Sequence, residues 1–376
     1  MNQEKPLSSI FTIIRVIFFL YVFLISISLM SHAFKAFGKG FAEQLITTTS
    51  NPFVGLFIGI LATSLIQSSS TTTSMVVAFV ASGVLSVRGA VPIIMGANIG
   101  TTVTNTLVAL GHIARREEFK KAFSGSTMHD FFNIFTVIIL FPIEMSTRFL
   151  ERSGMFLSDL FQNMGGVKFT SPIKVIVNPA VHLIDGLVGN LFHASKNVSG
   201  IIMLVLSVVM LFVALFFIVK IMRSLAARKA DMVFNKVIGK NVMLSMFMGM
   251  LFTAVVQSSS ITTSILVPLV AAGVLSLEQS FPIVLGANVG TTITAILASL
   301  TGNITGITVA FVHLMFNVTG IIIIYPIKQI RRIPINAARL LAAKCSQRRR
   351  WAFVYVIGMF YFLPIMMILM SRLFKK

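Results

Sequence analysis

Charged residues, and acidic ones above all, are scarce in this chain of 376 residues. Charged residues make up 11% of the sequence, and 11 acidic residues face 31 lysines and arginines. An ordinary soluble domain carries roughly 25% charged residues, and the mean hydropathy here is +0.92. This composition excludes an ordinary soluble domain and predicts a protein that lies in a membrane.

Cysteine and histidine are also sparse. The single cysteine, Cys345, excludes an intrachain disulfide and any multi-cysteine metal site. The six histidines are scattered, and none has the spacing of a metal pair or stands beside a nucleophile and an acid. We therefore expect neither an enzyme nor a resident cofactor, and we interpret His129 and His313 as structural.

Apolar stretches of spanning length recur along the chain. Residues 10–30 and 201–219 are near the roughly 20 residues that a bilayer-spanning helix needs. Basic residues concentrate in residues 220–240 and 328–350, as expected of cytoplasmic loops. We interpret them as topology signals in contact with anionic lipid rather than as a nucleic-acid site, because no binding motif accompanies them.

The chain contains an internal duplication. Residues 61–110 and 251–300 align without a gap and are identical at 27 of 50 positions, with an offset of 190. The charges around the two copies give them opposite orientations, because the loop after Leu110 is basic whereas its counterpart, after Leu300, is uncharged. Inverted repeats of this kind are typical of transporters.

Two short apolar segments flank a polar cluster in each copy, and each pair must enter and leave on one side of the membrane. We expect two re-entrant hairpins, which are tolerated where protein or water surrounds them. The predicted fold is an all-α polytopic membrane protein, an inverted-repeat transporter with two re-entrant hairpins and about seven full spans. Its predicted divisions are an N-terminal span with its connection (1–50), the first repeat (51–149), an external loop with a linking span and a basic loop (150–240), the second repeat (241–327), and a basic segment with a C-terminal span (328–376).

The polar clusters are the candidate site. QSSSTTTS begins at Gln67 and QSSSITTS at Gln257, at the expected hairpin tips, while GANIGTT begins at Gly96 and GANVGTT at Gly286. Hydroxyls, amides and glycine backbone supply donors and acceptors to a ligand. We expect the glycine-containing sets to break their helices and expose free backbone groups. The alternative is that small residues merely pack the helices tightly.

No acidic residue lies in these clusters. The nearest ones in the sequence are Glu43, Glu117 and Glu118 in the first copy and Glu278 in the second. A buried cation or anion would each lack a countercharge from the protein, and burying an unpaired charge is costly. Each ion would compensate the other, which favours their joint binding and predicts symport.

These motifs resemble the type II sodium-dependent phosphate cotransporter family. The resemblance rests on the paired QSSS clusters, PIIMGANIGTTVTNTLVAL from Pro92, PIVLGANVGTTITAIL from Pro282, MHDFFN from Met128 and HLMFNVTGIIIIYPI from His313, and it covers most of residues 50–340. It implies sodium-driven import of inorganic phosphate by alternating access. A bacterial member is expected, because the external loop is short and free of cysteine.

The resemblance also implies roles for individual residues. Phosphate would contact the serines of both clusters, Ser68, Ser69, Ser70, Ser258, Ser259 and Ser260. Sodium would be coordinated by Gln67, Gln257, Thr291 and Thr294, and repeat symmetry adds Asn98, Asn288, Thr101 and Thr102. No metal beyond sodium is expected.

Two departures from the family pattern bear on mechanism. Electrogenic relatives have an aspartate associated with an extra sodium in the loop after the first GAN segment, and Arg115 stands near that position, which predicts an electroneutral or altered stoichiometry. A single apolar segment, 351–371, follows the second repeat, which predicts an external C-terminus at residue 376.

The expected partners are inorganic phosphate, sodium and the lipid bilayer of the cell membrane, with no nucleic acid and with a homodimer left open. The alternative functions are sodium-coupled transport of another oxyanion, such as arsenate or sulfate, and a sodium-independent anion channel.

Overall fold

A computed structural model describes residues 6–37, 49, 51–163, 172–192, 196–237, 241–301 and 303–373. These residues are overwhelmingly helical and include no strand. Among the described helices, seven are long and apolar enough to cross a membrane. The chain is therefore an all-α, multi-pass membrane protein, and the count of about seven full spans is confirmed.

The first copy contains a hairpin of two short helices. The helices up to its end are α1 (Pro6–Ala36), α2 (Pro52–Ile66), α3 (Ser69–Ser82), α4 (Val87–Gly100), α5 (Val103–Leu110) and α6 (Arg116–Thr147). The 15 residues of α2 and 14 of α3 extend about 22 Å each at 1.5 Å per residue. This is shorter than the roughly 30 Å hydrocarbon layer, as a re-entrant hairpin requires.

The second copy repeats this order. The connecting helices are α7 (Phe149–Asn163), α8 (Pro172–Phe192) and α9 (Lys196–Val237), and the copy itself comprises α10 (Val242–Val256), α11 (Ser259–Ala271), α12 (Leu277–Ser299) and α13 (Ile304–Ile324). The chain continues through α14 (Lys328–Gln347), α15 (Arg350–Ile357), a π-helical turn (Gly358–Phe362) and α16 (Leu363–Leu373). α9 is long and apolar enough to cross a membrane once, as the predicted inversion of the second copy requires.

Equivalent residues bound equivalent helices in the two copies. Asn51 and Asn241 cap the N-termini of α2 and α10, accepting hydrogen bonds from the backbone N–H groups of Phe53 and Met243. Ser86 and Ser276 cap α4 and α12, while Gly83 and Gly273 adopt positive φ after the hairpins. Because such caps are local signals, the duplicated sequence produces duplicated helix boundaries.

Glycines bring the first hairpin helix of each copy against the helix that follows the hairpin. A Cβ atom at Gly96 would overlap the carbonyl oxygen of Leu56, and one at Gly286 would overlap that of Met246. These contacts join α2 to α4 and α10 to α12. Such backbone contact, with no side chain between, fixes the depth of both hairpins relative to the GAN segments.

An amphipathic helix follows each copy and packs on the other one. α7 packs against α13, where a Cβ at Gly154 would meet Val312 and the carbonyl of Thr308, and Ser158 bonds to Thr308. α14 packs against α6. α7 thus packs on the second copy and α14 packs on the first.

Three expectations need correction or qualification. The GANVGTT set does not break its helix, because α12 runs unbroken through it, whereas the first copy is interrupted at Thr101 and Thr102. The glycine contacts described above do not explain this difference, because Gly96 and Gly286 make equivalent contacts in the two copies. The external and basic segments are not simple loops, since they contain α7, α8 and α14. Residue 376, on which the predicted external C-terminus depends, lies outside the described residues.

Replacing Gly286 by alanine is predicted to destabilise the protein by about 1–3 kcal/mol or more, because the added methyl group forces backbone apart in a packed core. Thermal unfolding in detergent measures the change. The matched control is Gly186→Ala in α8, where a Cβ has no atom within 4 Å and helix propensity favours alanine by about 1 kcal/mol. Equal melting temperatures for both variants would contradict the close-packing assignment.

Candidate functional site

The two hairpin tips share an unusual backbone conformation. Gln67 and Gln257 have φ of 56° and 60°, and with Arg148 they are the non-glycine residues of positive φ in the described ranges. The left-handed conformation costs an ordinary residue about 1–2 kcal/mol. Strain of this kind persists where the surroundings enforce it, and it concentrates at functional sites. We name residues 67–70 the first tip and residues 257–260 the second tip.

The serine after each glutamine caps a helix that leads away from the tip. Ser68 Oγ accepts hydrogen bonds from the Thr71 N–H at 3.2 Å and the Thr71 hydroxyl at 2.9 Å. Ser258 Oγ accepts one from the Ile261 N–H at 3.4 Å. In both helices the N–H groups of the first two residues, serines in each case, have no acceptor within the helix. Each tip therefore presents backbone donors and serine hydroxyls together.

Each tip contacts the opposite copy. Ser70 Oγ donates to the Gln257 carbonyl oxygen at 3.3 Å, and Ser260 Oγ lies 3.5 Å from the Thr101 carbonyl oxygen. Ser69 and Ser259 are buried beside them. The structure thus brings all six predicted phosphate-contacting serines into one region, where hairpins from the two copies meet.

Among the predicted sodium ligands, one pair of side chains is in contact and the other side chains of the set are not paired in this way. Thr294 Oγ1 donates to Gln257 Oε1 at 2.9 Å, so these two neutral oxygens are neighbours. Gln67 is exposed, and its side chain has no hydrogen bond to any described residue. The hydroxyls of Thr101, Thr102 and Thr291 bond to carbonyls of their own helices. The second copy thus has an assembled oxygen pair, and the first copy has none at the same positions.

Asn98 and Asn288 are buried in a network that crosses between the copies. His129 Nε2 lies 2.6 Å from Asn288 Oδ1, and His313 Nε2 lies 3.3 Å from Asn98 Oδ1. Asn133 Nδ2 donates to the Asn98 carbonyl, and Asn317 Nδ2 to the Asn288 carbonyl. Each histidine thus joins its own α6 or α13 to the GAN segment of the other copy, in keeping with the structural interpretation.

Asp130 is a residue that the sequence reasoning missed. It is fully buried in α6, one residue after His129, and its Oδ2 accepts a 2.7 Å hydrogen bond from the Tyr355 hydroxyl. The hydroxyls of Thr102 and Thr106 face the same carboxyl group, whose Oδ1 has no hydrogen-bond partner among the described residues. The search for acidic residues in and around the clusters therefore overlooked a buried carboxyl group that lies beside Thr102 of the GANIGTT set. Its position within MHDFFN, equivalent to Leu314, was the available signal.

Arg115, by contrast, stands away from the tips. It precedes α6 and is exposed, and it forms a 2.8 Å ion pair with Glu118. The Glu118 carboxylate, through this hydrogen bond, raises the pKa of the Arg115 guanidinium above its usual range. The residue therefore acts at the protein surface.

A cavity leads from the second tip toward the basic side of the protein. It measures about 530 Å³ and lies between α5 and α11, lined by Thr104, Val108, Ser260, Ile261, Ser264, Ile265, Pro268 and Leu269. α11 ends close to Gly273, beside the Lys121 ammonium group. The equivalent region beside the first hairpin is closed, because Ser74 and Ala298, the counterparts of the lining residues Ser264 and Val108, are fully buried.

Comparison with protein families gives one match over most of the chain. The profile described as "Na+/Pi-cotransporter" matches residues 22–220 and 210–343. These two segments correspond to the two copies. No solved structure matches the chain.

Similar curated proteins are mammalian. The chain is 35% identical over 437 aligned positions to "Sodium-dependent phosphate transport protein 2B" of Pongo abelii, covering 92% of this chain and 63% of the relative. It is 34% identical to "Sodium-dependent phosphate transport protein 2A" of Rattus norvegicus, covering 92% of this chain and 65% of the relative. The chain thus spans just under two thirds of the length of these relatives, and the bacterial origin stays a prediction.

Replacing Gln257 by glycine is predicted to retain or raise stability, by about 1 kcal/mol, because glycine adopts the left-handed conformation without strain. Gln257→Val should instead lower stability, since a β-branched residue is strongly disfavoured at positive φ. Thermal unfolding of the purified variants measures both. If valine were tolerated as well as glycine, backbone strain would not be a property of this tip.

Proposed function

Because the chain belongs to the Na+/Pi-cotransporter family, we propose that it is a symporter that imports inorganic phosphate together with sodium. The observation that carries the proposal is the meeting of two serine-capped hairpin tips from inverted copies. Each tip supplies neutral donors suited to an oxyanion and neutral oxygens suited to sodium. The tips join helices too short to cross the bilayer and would therefore lie near its midplane, where transporter sites are found.

Each tip joins a helix C-terminus to a helix N-terminus. At the first tip, α2 ends at Ile66 and α3 begins at Ser69, and at the second tip α10 ends at Val256 and α11 begins at Ser259. A helix N-terminus favours an anion and a C-terminus favours a cation. Phosphate would therefore bind the amides and serines that begin α3 and α11. Sodium would bind the adjacent oxygens, Gln257 Oε1 and Thr294 Oγ1 among them.

In this proposal the Asp130 carboxyl group, when ionised, supplies the site with one negative charge. A sodium ion that binds its carboxyl group, with the Thr102 and Thr106 hydroxyls alongside, would be compensated by the protein. Any further sodium would still rely on phosphate, and phosphate on sodium, for countercharge. Phosphate and sodium therefore still favour each other's binding, but one sodium ion has its countercharge from the protein instead of from phosphate. The altered stoichiometry expected from Arg115 stays a prediction.

The cavity supports a proposal about access. It reaches the second tip from the basic side, which the positive-inside rule makes cytoplasmic, while the corresponding path in the first copy is closed. Exchange of these two arrangements would open the site to the outside and thus produce alternating access. The relatives are named as transport proteins, in keeping with transport rather than enzymatic chemistry. A homodimer remains an expectation.

The first experiment is uptake of radiolabelled phosphate into proteoliposomes with an inward sodium gradient or a matched potassium gradient. Concentrative uptake should require sodium. Gln257→Ala and Ser259→Ala should each lower uptake about tenfold or more, because a lost hydrogen bond to a charged group is worth about 1.5–3 kcal/mol. Gln347→Ala, at an exposed position on α14, is the control and should transport normally.

The same assay separates the alternatives. Equal, non-concentrative phosphate flux in both salts would indicate an anion channel and contradict symport. Sodium-dependent uptake of labelled arsenate or sulfate, without phosphate uptake, would identify another oxyanion as the substrate.

Asp130→Asn is predicted to raise the sodium concentration for half-maximal uptake about tenfold, because a single charge interaction of about 1.4 kcal/mol is removed. Glu144→Gln is the matched control. Glu144 is also a buried carboxylate, but it accepts hydrogen bonds from the Leu150 and Glu151 N–H groups at the start of α7. Equal sodium dependence of Asp130→Asn and the wild type would remove Asp130 from the sodium site.

A further inference from the structure

The histidine–asparagine network obeys the pseudo-twofold symmetry except at one hydrogen bond. Asn288 Nδ2 donates to Asn133 Oδ1 at 2.9 Å. The symmetric bond would join Asn98 Nδ2 to Asn317 Oδ1. Asn98 instead donates to the Ile94 carbonyl of its own helix at 2.9 Å, and Asn317 Oδ1 has no partner among the described residues although it is fully buried.

The hydrogen bonds of the threonine residues around the tips also differ between the two copies. In the second copy, Thr253 pairs with Thr262 at 2.6 Å and Thr294 with Gln257. Their first-copy counterparts, Thr63 Oγ1 and Thr104 Oγ1, are buried atoms without a partner among the described residues. The copy in which these threonine hydroxyls are paired is the one whose hairpin borders the open cavity. The copy in which the equivalent threonine hydroxyls have no partner among the described residues contains the closed hairpin.

A buried amide oxygen without a hydrogen-bond partner is energetically costly. Because the two copies have equivalent residues at these positions, Asn98 can supply the partner that Asn317 Oδ1 lacks. The twofold operation converts the bond between Asn288 and Asn133 into one between Asn98 and Asn317. It likewise converts the Asn98 bond to the Ile94 carbonyl into an Asn288 bond to the Val284 carbonyl. Both arrangements have equal numbers of bonds, so the count of bonds in this network favours neither state.

We propose that Asn133 and Asn317 are positioning residues that hold the two transport states in turn. Asn133 fixes Asn288 in the state open to the basic side, and Asn317 fixes Asn98 in the state open to the opposite side. Each acts through the GAN segment of the other copy, which is packed by glycine contacts against its hairpin. The exchange of the hydrogen bond between Asn288 and Asn133 for one between Asn98 and Asn317 is thus coupled to a change in the hairpin that borders the open cavity. This proposal rests on the proposed transport function.

The test measures the two states directly by thiol accessibility. Cys345 is the one cysteine of the sequence, and its replacement by alanine provides a thiol-free background. Ser264→Cys places a thiol in the open cavity, and Ser74→Cys places one at the equivalent, fully buried position of the first copy. A membrane-impermeant maleimide is applied to proteoliposomes from each side, without sodium or phosphate.

In the background protein, the thiol introduced by Ser264→Cys should react from the basic side, and the thiol introduced by Ser74→Cys should be protected. Asn133→Ala should slow labelling of the cavity thiol and expose the buried one from the opposite side, each by about fivefold, which is about 1 kcal/mol in the equilibrium between states. Asn317→Ala should shift both rates the other way. The double variant should return to the background ratio, because both states then lose one bond.

A purely structural role for the two asparagines predicts another result. Both single variants would then lower the yield of folded protein with unchanged labelling ratios, or would shift them in the same direction, and either outcome would overturn the proposal. Asn133→Ser and Asn317→Ser, which keep a small polar group, replace the alanine variants if those fail to fold. Since labelling needs no substrate, opposite shifts in a protein without phosphate uptake would refute the proposed function alone.

Discussion

Helix ends buried at membrane depth must be satisfied by the protein, because lipid offers no hydrogen bonds. Four such ends occur at the two tips. The chain meets this constraint with a left-handed glutamine, a serine cap and contacts from the opposite copy. The donors and acceptors left over at these ends are the groups that can bind ions, so the constraint on folding and the capacity for binding have one origin.

Almost all of the groups around the two tips are uncharged, and this would affect how tightly the proposed site holds an ion. A site rich in fixed charge would bind its ions tightly and release them slowly. Here one buried carboxyl group, Asp130, lies beside the hydroxyls of Tyr355, Thr102 and Thr106. Its hydrogen bond to Tyr355 also ties the site to α15, outside both copies. A segment that belongs to neither repeat thus contributes to the environment of this buried carboxyl group.

The features of the fold that depend on neighbouring residues in the sequence could be predicted. The features that depend on contacts between distant segments could not. The duplication, the seven spans and the hairpins follow from hydropathy and from turn and cap residues such as Gly83 and Ser258. α12 continues through GANVGTT despite the weak helix propensity of its glycines, whereas the first copy, with equivalent glycine contacts, is interrupted. Asp130 escaped notice because it lies on a helix distant in sequence from both clusters. The unequal hydrogen bonding of Asn98 and Asn288 is invisible in motifs that are almost identical.

The inversion of the copies has a consequence for biosynthesis. Equivalent residues of the two tips are separated by 190 positions, and synthesis proceeds at about 5–20 residues per second, so the first tip waits about 10–40 s for the second. During that interval its serines and Asn98 lie at membrane depth without the carbonyls and the His313 side chain that later contact them. The first half of the molecule is therefore an incomplete structure in the membrane, and stable assembly begins when the second hairpin arrives.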